Sequence, residues 1–265
     1  MKIEEIKALI SKAPKTKMKP GCDYVLVSKT KGEPKATDIK VMTADKFRTE
    51  KRTMYLIGGF HTICANVGEI PGHPLSGLMA GDILPLSIWN EHHRAACPQN
   101  DGMVYDPIKD IWVDIYLAAG TGMDTKSAYG GKISNSRKYE DFEADAKSVG
   151  KRLMTHYEFS SIAEGSNELS RIDGKKFPGK TGGHIDQVGR RMVSNIGCED
   201  CCGVLCQWLS TPDLDYPDEW RLLAGGHWSR STYAGSRCRD ADSYRWITGS
   251  SVGARFASEP LNRRT

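Results

Sequence analysis

Leu222-Leu-Ala-Gly-Gly-His-Trp-Ser-Arg-Ser-Thr-Tyr-Ala-Gly-Ser-Arg-Cys-Arg239, followed by Tyr244-Arg-Trp246 and Gly253-Ala-Arg-Phe256, is the stretch whose reading decides the fold. Small and apolar landmarks recur along it at short intervals. Between them stand His227, Ser229, Arg230, Tyr233, Asp240, Asp242, Ser243, Ile247, Gly249 and Ser251, which share neither polarity nor size. A half-buried strand would alternate apolar and polar side chains, and a catalytic site would gather a few matched groups at defined spacing. The pattern reads as a fixed frame that presents a free surface.

Absences point the same way. Residues 221–258 contain no Lys, Glu, Gln, Met or Asn, although Lys and Glu are among the commonest residues in proteins. An Asn codon AAC with randomised adenines reaches Asp, His, Tyr, Ser, Thr, Ile, Gly, Arg, Ala, Cys and Val. It cannot reach Lys, Glu, Gln, Met or Trp. All ten residues named above lie in the reachable set.

The tail resembles the variable region of proteins diversified by a diversity-generating retroelement, within the C-type lectin fold and its branch related to formylglycine-generating enzyme. Upstream segments follow that family's order: Lys151-Arg-Leu-Met-Thr-His-Tyr-Glu-Phe159 leading into Ala163-Glu-Gly-Ser-Asn-Glu168, then Thr181-Gly-Gly-His184 and Arg190-Arg-Met-Val-Ser-Asn-Ile-Gly197. Cys201-Cys-Gly-Val-Leu-Cys-Gln-Trp-Leu209 resembles its Gly-x-x-x-(Glu/Gln)-Trp segment. Gly225-Gly-His-Trp228 resembles its Gly-Gly-Ser-Trp turn and strand, and Gly253-Ala-Arg255 stands where it has Gly-Phe-Arg. The likeness covers roughly residues 55–257 and is densest after residue 150.

The resemblance implies an α+β, loop-rich fold with short strands and two main helices. It implies a non-catalytic display protein whose adenine-derived positions, the ten above, contact a ligand. Trp208, Gly225, Gly226, Trp228, Ser236, Arg237, Tyr244, Arg245, Trp246, Gly253 and Arg255 would form the constant scaffold, with Trp228 and Trp246 in the core. The variable region spans 221–257 in a lectin domain of residues 53–265; residues 1–52 lie outside the resemblance and, being Lys-rich and weakly patterned, read as an arm or small β segment that can pack on it. The partner would be a protein or glycan on a host or target cell surface, met by a viral or phage tail tip. Outside a virion the location would be cytoplasmic, because Met1-Lys-Ile-Glu-Glu-Ile-Lys7 lacks the apolar core of a secretion signal.

Composition bounds the alternatives. With 39% hydrophobic and 26% charged residues in 265, the chain reads as globular, and no apolar run reaches membrane-spanning length. The tail 221–265 carries eight Arg against three acids, which keeps a nucleic-acid binder in view. Such a footprint would cluster Lys with Arg, and Arg237, Arg245 and Arg255 instead recur with the frame as structural hydrogen-bonding residues. Formylglycine-generating activity, the enzyme alternative, uses a close cysteine pair after the Gly-Gly turn, where this chain has Cys238 alone. The sequence therefore reads as no enzyme.

No cofactor is called for. Cys198, Cys201, Cys202 and Cys206 form a metal-like cluster without a second knuckle, and buried thiols are the preferred reading over zinc or a disulfide. Glu91-His92-His93 with Cys97 reads as a polar loop. His156 and His184 read as hydrogen-bonded structural residues. The pairs Asp213/Asp215 and Asp240/Asp242 have spacing that calcium uses, but the second pair falls at variable positions. Local patterning predicts helices at Ile3–Ile10, Asp141–Leu153 and Tyr157–Ala163. Strands are expected at Tyr24–Val27, Met54–Ile57 and Trp112–Leu117, with a further strand beginning within Asp200–Leu209. Lys29–Thr37, 66–82, Asp124–Arg137 and Thr211–Asp218 read as loops.

Overall fold

A computed structural model describes residues 2–12, 18–31, 34–50, 54–230 and 232–262, with the backbone alone at residues 11, 12 and 36. Gly32 of the expected polar turn, Ser231, and Arg263 and Arg264 of the basic tail lie outside the described residues.

The chain opens with helix α1 (Ile3–Lys12) and strand β1 (Asp23–Ser28), then β2 (Ile39–Thr43), α2 (Ala44–Glu50) and β3 (Tyr55–His61). With β4 (Trp89–Asn90) these strands form one sheet in the order β2-β1-β3-β4. β1 is central, so its side chains alternate between two buried faces. Leu26 meets Ile6 of α1, Phe60 and Ile88, while Val25 and Val27 meet Ala44 at the start of α2. The arm before residue 53 thus shares a sheet with the strands that follow it.

A second sheet runs β5 (Met103–Asp106), β6 (Ile111–Asp114), β12 (Phe256–Ser258), β7 (Arg152–Leu153). β12 pairs antiparallel with β6 and β7, which returns the C-terminal segment to the middle of the molecule. Helix α3 (Tyr139–Ser148) buries Tyr139, Phe142 and Ala146 against Trp208, Leu223 and Phe256. It stops earlier than its apolar spacing predicts. Lys151 turns inward to an ion pair with Asp114 at 2.6 Å, both side chains buried, and Leu153 enters β7.

Helix α4 (His156–Ile162) is entered through a reciprocal cap. Glu158 N–H donates to Thr155 Oγ1, and Thr155 N–H donates to the Glu158 carboxylate, satisfying two otherwise orphaned donors. Phe159 and Ile162 then reach the main core beside Val113, Tyr116, Cys198 and Cys201.

The third sheet carries the tail, in the order β10 (Gly235–Tyr244), β9 (Trp220–Gly225), β8 (Cys206–Pro212), β11 (Val252–Gly253). Residues 163–205 hold no strand and only one short 3-10 turn at Asp173–Lys175. Ion pairs tie this long segment together: buried Arg191 with Glu199 at 2.7 Å, and half-buried His184 with the enclosed Asp200 at 2.9 Å.

The architecture is α+β and loop-rich, as the sequence predicts; among the described residues α1, α3 and α4 fall where helices are expected, and α2 carries no clear signal in the sequence. β6 stops at Asp114, short of the expected Leu117. β8 starts at Cys206 and ends at Pro212, inside the expected loop. No helix among the described residues is long and apolar enough to cross a membrane.

Candidate functional site

The site is the β9–β10 hairpin and its return through β11. Gly225 and Gly226 both have left-handed backbones, φ +87° and +74°. A side chain at 226 would fall on the Tyr233 carbonyl oxygen and one at 225 on that of Cys201, so only glycine fits both steric demands. Main-chain hydrogen bonds pin the turn from below: Gly203 N to Gly225 O at 3.0 Å and Trp228 N to Val204 O at 3.0 Å. From the side, Leu169 N donates to Ala234 O at 2.6 Å, and Ser236 N donates to Glu168 Oε1 at 2.8 Å.

Irregular pairing sets what β10 presents. Gly235 pairs with Gly225 and Arg239 with Ala224, so residues 236–238 have no counterpart on β9. A second irregularity falls between Asp240 and Ser243. Each bulge breaks the two-residue alternation: Arg237 stands exposed at the first, and residues 240–242 are exposed in a row at the second.

Of the ten expected contact residues, Arg230, Tyr233, Asp240 and Asp242 are exposed, Tyr233 to 65%. His227, Ser229, Ile247, Gly249 and Ser251 are half-buried. The His227 ring lies 3.1 Å from Ser229 Oγ, and Ile247 packs on the cluster around Trp208. Ser243 was expected outward but is 7% exposed. The second bulge turns it inward, where its hydroxyl donates to Asp240 Oδ1 at 3.3 Å.

The expected scaffold divides. Trp208, Gly225, Gly226, Gly253 and Arg255 are buried, and Trp228 is half-buried against the cluster of Leu117, Met192 and Leu205. The Arg255 guanidinium, fully enclosed, donates to the carbonyls of Asp114, Ile115 and Glu199 and to Gln207 Oε1. Arg245 bonds Glu140 and the Asp218 carbonyl. Arg237 is exposed instead of structural. Trp246, expected in the core, is 50% exposed. It stacks on the exposed Tyr244 ring, centroids 4.8 Å apart, and Tyr244 in turn meets Trp220. Tyr244 ends the edge strand β10, Trp246 follows it in a turn, and Trp220 begins β9.

The remaining candidates take structural places. Cys198, Cys201 and Cys202 are buried and Cys206 half-buried, all as free thiols; burial pushes Cys198 and Cys202 well above the usual thiol range. The His93 ring packs on Tyr105 and Trp112, and Cys97 Sγ lies 3.2 Å from Gln99 O. Asp213 Oδ1 accepts from the main chain of Asp215 and Tyr216. Asp240 Oδ1 accepts weakly from Asp242 N. Both Asp pairs therefore serve their own turns. Among the described residues no group of three or more His, Cys, Asp or Glu is placed to hold a metal ion. Burial also pushes the Cys238 thiol up, and its Sγ donates to Tyr233 O, which is poor preparation for a thiolate nucleophile.

The structure adds residues that the sequence reading did not single out. Glu168, Leu169, Thr232 and Arg239 line a cleft of about 450 Å³ with Tyr233, Arg237 and Cys238. Glu168 and Leu169 come from the strand-free segment and reach the hairpin only through tertiary folding.

Taken together, the curled sheets, the long fixed loops and the hairpin over a buried frame define a C-type lectin fold. No protein-family profile matches the chain, and no curated protein matches its sequence. Solved structures do match. Major Tropism Determinant I1 Variant superposes with a TM-score of 0.74 at 21% identity, covering 92% of this chain and 73% of that one. Major Tropism Determinant U1 Variant gives 0.72 at 20% identity with the same coverage, and the M1 Variant likewise gives 0.72 at 20%. At this identity the likeness is one of fold.

Proposed function

We propose that the chain is a non-catalytic receptor-binding display protein, a tropism determinant in its own right, whose C-terminal surface is diversified by adenine-specific retroelement mutagenesis. The finer reading places it in the branch related to formylglycine-generating enzyme, carried on a virion or tail tip, with a protein or glycan of a host surface as its partner. Residues 1–52 serve as an arm that completes the first sheet, and residues 53–265 as the lectin domain.

One observation carries the proposal: chemically unrelated side chains, Arg230, Tyr233, Asp240 and Asp242, stand exposed on a hairpin whose conformation is set by buried residues elsewhere. Binding loops use this mixture, one rigid aromatic amid small adaptable polar groups. The structural neighbours named above, Major Tropism Determinant variants, support the same reading by analogy of fold.

The test is genomic and biochemical. The encoding genome should hold a near-copy of residues 221–257 that differs only at adenines, beside a reverse transcriptase. Exchanging Arg230, Tyr233, Asp240 and Asp242 together should shift the melting temperature little, since exposed substitutions stay within about 0.5 kcal/mol each. The same exchange should change which cells the protein binds. Mismatches at bases other than adenine, or cell binding indifferent to the exchange, would refute the proposal.

A further inference from the structure

Beside the exposed positions, the cleft under the hairpin has chemistry of its own. Arg239 enters from β10 with its guanidinium over the Phe159 ring, 4.9 Å from the centroid. It donates to the carbonyls of Ser236, Cys238 and His156 and to Ser160 Oγ. All these acceptors are neutral. Its Nε is buried without a partner, and burial lowers its basicity. Arg237 stands exposed two residues away on the same wall. Among the described residues no carboxylate forms an ion pair with either guanidinium, an arrangement that leaves a desolvated positive charge without a counter-ion.

The opposite wall is Glu168. Its Oε1 accepts from Ser236 N and Ser236 Oγ, which leaves Oε2 as an acceptor. The carboxylate approaches so closely that any side chain at Gly235 would collide with it. Tyr233 stands on the rim, largely exposed, and Thr232 adds a hydroxyl. The volume, about 450 Å³, lies within the range of small-ligand sites.

A complementary ligand must bring an oxyanion for Arg237, hydroxyl donors for Glu168, and an apolar face for Tyr233; Arg239, whose four terminal N–H groups are already bonded, adds its positive charge alone. An acidic protein side chain brings acceptors alone and would meet Glu168 unfavourably. We infer that this cleft is a binding subsite for an acidic sugar, one pyranose bearing a carboxylate or sulfate. Arg237, Arg239 and Glu168 lie outside the ten positions expected to vary and Tyr233 lies within them, so the subsite joins fixed charged groups to one variable aromatic ring. The inference rests on the display-protein reading only in placing that sugar on a cell surface.

Free sugars test it without any receptor. The full chain is titrated with glucuronic acid, glucose 6-sulfate, glucose and N-acetylglutamate while backbone amide shifts are followed by NMR. Both acidic sugars should shift amides of residues 232–239 and bind at least tenfold more tightly than glucose or N-acetylglutamate. Rising salt should weaken them, as expected for half-exposed charges. Arg237→Ala, at an exposed side chain, should leave the melting temperature unchanged. It should weaken both acidic sugars by about tenfold or more, the usual loss for one charge-assisted hydrogen bond. Arg239→Lys keeps the charge and should weaken them less.

Equal binding of glucose would overturn the anion requirement. Equal binding of N-acetylglutamate would make the ligand a protein acid and overturn the sugar. Shifts confined to other residues, or none at the highest soluble concentration, would remove the subsite. Each of those results leaves the display-protein reading standing, just as a genome without a template repeat leaves the titration unaffected.

Discussion

At the scale of single residues, side chains close in sequence carry opposite duties. Arg255 and Asp242 lie in one continuous tail, yet the first is fully enclosed and the second open to solvent. Arg255 bonds the main chain of Asp114, Ile115 and Glu199, joining the end of β6 to the long strand-free segment. Arg255→Ala would remove hydrogen bonds to three buried carbonyls and to Gln207 Oε1 and open a cavity. It should cost on the order of 3–5 kcal/mol, the range for breaking a buried charged network. Urea unfolding followed by circular dichroism measures this, and a loss below about 1 kcal/mol would contradict the role assigned to the residue. The motif Gly253-Ala-Arg255 was legible as frame. Its partners were not, because carbonyls carry no sequence signature.

At the scale of elements, the hairpin depends on its turn. Gly225-Gly226 was legible as a turn because adjacent glycines punctuate strands. The bulges of β10 were not legible, since they arise from how residues 235–244 register against the shorter β9. They explain why Ser243 is buried and why Arg237 and Asp242 point outward. Trp246 was misplaced for a related reason. It sits in the turn just after the edge strand β10, where among the described residues no further strand flanks the sheet. Gly226→Ala must hold φ near +74° against the Tyr233 carbonyl. It should destabilise by at least about 1–3 kcal/mol, the cost of a left-handed backbone at a residue with a side chain. It should also reduce amide-exchange protection across 225–239 before the rest of the molecule. Uniform exchange across the chain would mean that the turn does not act as a local clamp.

At the scale of the whole molecule, the sheet β2-β1-β3-β4 crosses the boundary at residue 52 that composition suggests. The Lys-rich, weakly patterned arm supplies β1, whose Leu26 covers Phe60 and Ile88. Removing residues 1–52 should therefore uncover this apolar face. The truncated chain should bind a hydrophobic dye at room temperature and melt below the full-length protein. A truncated chain that melts at the same temperature without binding dye would show an independent appendage.

The sequence by itself determined the class of fold, through the resemblance of its ordered segments to a known family, because the turn glycines Gly225 and Gly226 and the enclosed Arg255 answer to backbone and burial demands that only those residue types meet. Only the tertiary structure decided which tail side chains face solvent, and that Glu168 and Leu169 close a cleft with residues 232–239. Those outcomes depend on strand register and on contacts between segments more than 60 residues apart. No local pattern encodes such contacts, since loop closure brings the two segments together whatever sequence lies between them.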